Sequence, residues 1–148
     1  MALALACALL AGCGGSSRLS RSAYRARLAT IANEADKAQR DVEKGLTAKS
    51  LAGLQARLKT FATAEDRLGD EVSRLKPPKD AEAPSAELAR GEHDTAAAVR
   101  AALPKLVTFT SPKAAIAFLS KGLAQPKGGR EVDHALAQLK KLGYTNGS

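Results

Sequence analysis

The sequence predicts an all-α fold: an up-down antiparallel helical bundle of about four helices, the last position split into two short ones. Three observations carry this. Hydrophobic residues make up 45% of the 148 residues, while aromatics are only 3% and Trp is absent. The core must therefore be mostly Ala and Leu, which favour packed helices, whereas strands favour β-branched and aromatic side chains. Apolar residues also recur at steps of three and four, the spacing of one helix face. Pro and Gly clusters punctuate these runs, and no strand-type alternation competes with them.

The first helix is expected from about Ser20 to Lys44, with Tyr24, Leu28, Ile31, Ala35, Ala38 and Val42 on one face. Ser20 or Ser22 suits its start and Gly45 its end. The second is expected from about Ala48 to Leu75, on the stripe Leu51, Leu54, Leu58, Phe61, Leu68, Val72 and Leu75. Glu65 falls on that same frame, where such a residue more often reaches solvent than stays buried. Pro77 and Pro78 end the helix, because neither can donate a backbone hydrogen bond. Two helices with heptad-like seams and a short connection should form an antiparallel hairpin.

Lys79 to Pro84 reads as a loop, and the third helix as about Pro84 to Phe109, with Leu88, Ala96, Val99, Leu103 and Leu106 inward. Gly91 and Pro104 are imperfections in it, and Pro104 should kink it or end it near Ala102. Ser111-Pro112 is a helix start, with Ile116, Leu119 and Leu123 following on one face. Gln125 to Gly129 reads as a break. A last helix from about Arg130 to Leu142 carries Val132, Leu136, Leu139 and Leu142, with Gly143 as its stop.

The N-terminus has a different character. Ala2 to Ala11 are Ala, Leu and one Cys, without a charge, and lead into Leu10-Ala11-Gly12-Cys13. Such a stretch is too short to span a bilayer and fits the apolar region of a secretory signal. With Leu10, Ala11, Gly12 and Cys13 matching all four positions of the lipobox, the chain resembles bacterial lipoproteins. The resemblance implies cleavage before Cys13, and covalent attachment of diacylglycerol and an acyl chain such as palmitate to Cys13.

The chain would then divide into a signal peptide at 1–12, a lipidated Cys with a flexible tether at 13–19, and a helical-bundle domain at 20–148. Cys7 would leave with the signal, so the mature chain would have neither a free thiol nor a disulfide. A signal usually opens with a basic region, but no Lys or Arg precedes Arg18. The expectation is a start codon upstream of Met1. The implied localisation is the outer face of the cell membrane, or the outer membrane of a Gram-negative cell.

Charge is segmented under a net +8. Residues 18–33 hold four Arg and no acid, residues 34–103 hold 12 bases and 13 acids, and the chain from Pro104 holds seven bases and two acids. Up-down topology should gather Arg18, Arg21, Arg25, Arg74, Lys76, Lys79, Lys140 and Lys141 at the end nearest Cys13. These are the candidate contacts to an anionic surface, since a lipid chain and a polybasic patch together make a stable anchor. Bases scattered as solvating charges fit the same count. Nucleic acid is not an expected partner, because an exported chain rarely meets it and aromatics for base stacking are few. Expected partners are the membrane, through the lipid, and an envelope protein or anionic polymer.

No catalytic constellation is legible, so the expectation is a non-enzyme. No G-x-S-x-G elbow is present, and neither glycine pair is completed to a phosphate loop. Glu131 and His134 have the i, i+3 spacing of di-metal bundles, but no second such pair exists. Glu92, His93 and Asp94 are consecutive and read as exposed polar faces. No metal and no cofactor beyond the covalent lipid is expected. The leading function is a membrane-anchored binding or envelope-structural module. The alternative is a small-ligand- or metal-binding bundle with a pocket beside Pro104 and the C-terminal helices.

Overall fold

Ser20 opens the first helix by accepting a hydrogen bond from the Ala23 amide at 3.2 Å, which satisfies a donor that every helix start leaves over. The computed structural model describes residues 17–45, 50–122 and 127–145. The lipobox, the expected helix start at Ala48, and Leu123 lie outside the described residues. Among those described, the chain is all helical.

Helix α1 runs Arg21–Gly45 and α2 runs Leu51–Arg74. The Ser50 hydroxyl caps α2 by accepting from the Gly53 amide at 3.1 Å. Leu75 turns extended ahead of the two prolines and closes it. The next segment corrects the expected loop. Lys79–Ala81 form a 3-10 turn that passes directly into α3, Glu82–Ala102. Pro84 sits in the first turn of α3, where its missing N–H costs nothing. Pro104 ends α3 near Ala102 as expected, and Leu103–Thr108 continue as a 3-10 segment rather than an α-helix to Phe109.

Helix α4, Pro112–Gly122, is capped by Ser111, whose hydroxyl accepts from the Ala114 amide at 3.3 Å. Helix α5 spans Lys127–Lys141, so it starts before the expected Arg130 and runs through Gly128 and Gly129. That pair is no break, because Gly128 lies against α3. A Cβ at Gly128 would stand 2.5 Å from the Gly91 carbonyl oxygen and 2.5 Å from the Thr95 amide nitrogen. Gly91, an imperfection by sequence, is thus the other half of a close helix crossing.

The end of α5 is a Schellman turn. Tyr144 N–H bonds the Leu139 carbonyl and Gly143 N–H the Lys140 carbonyl, both at 2.9 Å, with Gly143 at φ 78°. The turn sends Tyr144 back into the core, 1% exposed and edge-on to Tyr24 with ring centroids 5.2 Å apart. The Tyr144 hydroxyl donates to Asp80 at 2.7 Å. The Tyr24 hydroxyl meets that of Ser85, which in turn donates to the Ala81 carbonyl. Both buried phenols are thereby satisfied.

Helices α2 and α3 form the antiparallel spine of the bundle, with α1 packed on α2 and α5 on α3. At 1.5 Å per residue the 15 residues of α5 reach only about 22 Å, against about 32 Å for α3. One helix therefore cannot cover the spine, and the work is divided. Leu28, Ile31, Leu68, Val72, Leu88, Leu139 and both tyrosines form one cluster among α1, α2, α3 and α5. Leu54, Leu58, Ala62, Val99, Leu106, Ala115 and Leu119 form a second, where α4 and the 3-10 segment close the other half. The split last position expected from the sequence is this division. Ala35, Ala38 and Val42, expected inward on α1, are only half-buried.

Candidate functional site

The residues leading into α1 are fixed at one end of the bundle. Leu19 N–H bonds the Lys76 carbonyl at 2.7 Å, and the Arg18 guanidinium donates to the Pro77 carbonyl at 3.1 Å. Arg21 donates to the Leu142 carbonyl at 2.5 Å and lies 4.7 Å above the Tyr144 ring. The start of α1 thus meets the finishes of α2 and α5, and the expected basic residues converge there.

Several of these bases are engaged by neighbouring acids. Arg18 pairs with Glu82, Arg21 with Asp80 at 3.2 Å, and Arg74 with Asp70 at 3.2 Å. Arg25 also has a partner. Lys76, Lys79, Lys140 and Lys141 are exposed and have no ion-pair partner among the described residues. They form the part of the basic end that is open to an outside anion. Among the described residues, no helix is long and apolar enough to cross a membrane.

A second feature lies between α1 and α5. The two helices meet at the end where α1 begins, through Arg21 and Tyr24 on one side and Leu142 and Tyr144 on the other. Farther along, a cleft of about 370 Å³ opens between them, floored by residues of α2 and α3. Pro104 is not among the residues that line this cleft.

On the cleft floor stand Glu65 of α2 and Glu92 of α3, each 6% exposed. Glu65 therefore does not reach solvent, and Glu92 is not on an exposed polar face. The two carboxyls hydrogen-bond one another. Burial pushes Glu92 up to about 9, and the hydrogen bond and the like charge of Glu65 add to the effect. Burial also raises Glu65, with the hydrogen bond from Glu92 working the other way. Two carboxylates facing each other away from water cannot both ionise cheaply, so at neutral pH the pair holds a proton. Thr95 also lines the cleft, its hydroxyl oxygen buried against Gly128 without a hydrogen-bond partner among the described residues. Asp36 of α1 and Asp133 of α5 also line the cleft, and among the described residues no Lys, Arg or His does.

The histidines are committed elsewhere. His93 Nδ1 lies 3.2 Å from Asp66 and Nε2 3.7 Å from Asp70. Burial works to raise the Asp66 carboxyl, but hydrogen bonds from His93 and Arg100 outweigh it and hold the group below the usual range. The Glu131–His134 spacing gathers no shared ligand. His134 Nδ1 meets Glu87 at 2.8 Å, while Glu131 pairs with Arg90 at 3.2 Å. Among the described residues, no three His, Cys, Asp or Glu side chains are grouped to hold a metal.

A larger groove of about 610 Å³ between α1 and α2 is lined by charges of both signs, its Arg67 already bound to Glu34 and Glu71. No family profile matches the chain, and no curated protein or solved structure is detectably similar to it.

Sequence reasoning placed Glu92 on an exposed polar face, although a signal to the contrary was present. Leu88, Glu92 and Ala96 are spaced by four, so Glu92 fills the gap in the inward stripe of α3.

Proposed function

We propose that the chain is an exported lipoprotein, acylated at Cys13 and displayed on the outer face of its membrane as a non-enzymatic binding module. Its lysine-rich end lies on anionic headgroups or on an anionic envelope polymer. One observation supports this most directly: residues 17–20 leave the bundle at the same end as Lys76, Lys79, Lys140 and Lys141. A lipid on a tether from that point would press the end against the surface, where each base adds roughly 1 kcal/mol within a Debye length. Lipid and patch together make the two-signal anchor that one chain alone does not.

The test is the intact mass of the chain made in a bacterial host, from a gene extended to any upstream start, with and without Cys13→Ala. A product beginning at Cys13 with added acyl chains, absent from the variant, is the expected result. Unprocessed and unacylated protein overturns the lipoprotein reading. Flotation with phosphatidylglycerol vesicles across a salt series then tests the patch. Replacing Lys76, Lys79, Lys140 and Lys141 with Gln should reduce binding at low salt, and an unchanged salt dependence would refute the contact.

A second reading, compatible with the first, is favoured by the cleft between α1 and α5. Its volume is at the small end of ligand pockets, which supports binding of a small molecule by the displayed bundle. Thermal shift with small amphiphiles tests this directly.

A further inference from the structure

Resting on that second reading, we infer that the cleft is a site for a protonated organic amine with a compact apolar body, its ammonium seated between Glu65 and Glu92. Charge complementarity selects the class. The chain is strongly basic, yet among the described residues no base lines this cleft, while four acids from four different helices do. An anion would meet only repulsion there. The rest of the lining is apolar, including Leu28, Ile31, Val132 and Leu136, and Leu136 is one of the few large hydrophobic side chains left exposed.

The floor is an incomplete ion site. Glu65 and Glu92 are more than nine-tenths buried, line the cavity, and have no cationic partner among the described residues. Buried carboxylates are otherwise paired with a cation or coordinate a metal. An ammonium offers three donors in a compact head, which suits two carboxylates facing one another from two helices. A divalent metal would require a third carboxylate or imidazole in the same cluster, and none is gathered there among the described residues.

Proton balance follows from the pair. Without ligand, one carboxyl donates to the other. When an ammonium enters, that proton leaves to solvent and two carboxylates flank one cation, so no further reactant is needed. Asp36 from α1 and Asp133 from α5 face the same space and add negative potential. His93 and Arg100 are tied to Asp66 and do not line the cleft. Binding should therefore tighten as pH rises from 6 toward 9, while the amine itself stays protonated.

The experiment is calorimetry and thermal melting of the full chain with hexylamine, hexanol and hexanoate, which share a body and differ in charge. Hexylamine should bind about tenfold or more tightly than either other probe. It should also release protons, read from the dependence of heat on buffer. Glu92→Gln should weaken hexylamine about tenfold or more without lowering the melting temperature, which separates a lost site from a lost fold. Equal binding of all three probes would overturn the amine assignment while leaving a ligand cleft. Binding of none would overturn both, as would hexanol and hexanoate binding without hexylamine for the amine alone. Unweakened hexylamine binding to Glu92→Gln would also sink the assignment.

Discussion

Replacing Glu92 with Gln should make the protein more stable at neutral pH, by an amount that depends on pH. In the folded chain, burial and Glu65 hold the Glu92 carboxyl protonated up to about 9, against an ordinary value of 4.5. Between those values the folded state keeps a proton that the unfolded state has lost, so stability is greatest below pH 4.5 and falls as pH rises toward 9. The slope approaches about 1.4 kcal/mol per pH unit for one such group. At pH 7 the accumulated cost is about 3 kcal/mol, a large part of the 5–15 kcal/mol typical of a domain. Glu65, also raised, acts in the same direction.

Gln is isosteric, carries no charge at any pH, and can still donate to Glu65. Urea denaturation of wild type and Glu92→Gln at pH 5, 7 and 8.5 isolates the effect, because titrations at distant sites cancel in the difference. Near pH 5 the gap should be under about 1 kcal/mol. The variant should lead by about 3 kcal/mol at pH 7 and by more at pH 8.5. A gap that does not change with pH, or a variant less stable at pH 7, would refute the shared-proton account of the pair.

Other substitutions probe the packing. Gly128→Ala should destabilise by about 1–3 kcal/mol despite alanine's better helix propensity, because its Cβ meets the backbone of Gly91 and Thr95; chemical denaturation checks this, and a stabilised variant would refute the close crossing. Gly143→Ala meets nothing within 4 Å, so its cost should be the left-handed backbone alone, about 1 kcal/mol, with Gly143→Asn milder. Equal losses in the two Gly143 variants would point away from the Schellman turn. Tyr144→Phe removes the hydrogen bond to the half-exposed Asp80 and should cost about 1 kcal/mol, measured by thermal melting; no loss would show that this bond adds nothing to the α5 anchor.

Most helix ends were legible because their causes are local. Ser20 and Ser111 cap through their own hydroxyls, Pro77-Pro78 and Pro104 withhold N–H groups, and Gly143 supplies a positive φ. Each acts within a few residues of chain. The convergence of the basic residues was legible too, since antiparallel topology follows from short connections. Glu65 and Gly128 were misjudged for a shared reason. Whether Glu65 reaches water depends on which helix lies across from it, and α3 supplies a second acid there. Whether Gly128 breaks a helix or lets two touch depends on Gly91, 37 positions earlier.

The sequence alone determined the helical class, most helix ends and caps and the charge segmentation, because these rest on bonding between near neighbours and on composition; the lipoprotein proposal likewise rests on the sequence match at Leu10-Ala11-Gly12-Cys13. Only the tertiary structure decided that Glu65 meets Glu92, that Gly91 meets Gly128, and that the bundle opens between α1 and α5. Burial and cavities are properties of facing helices, and α5 is too short and too closely held to α3 to seal the side it shares with α1.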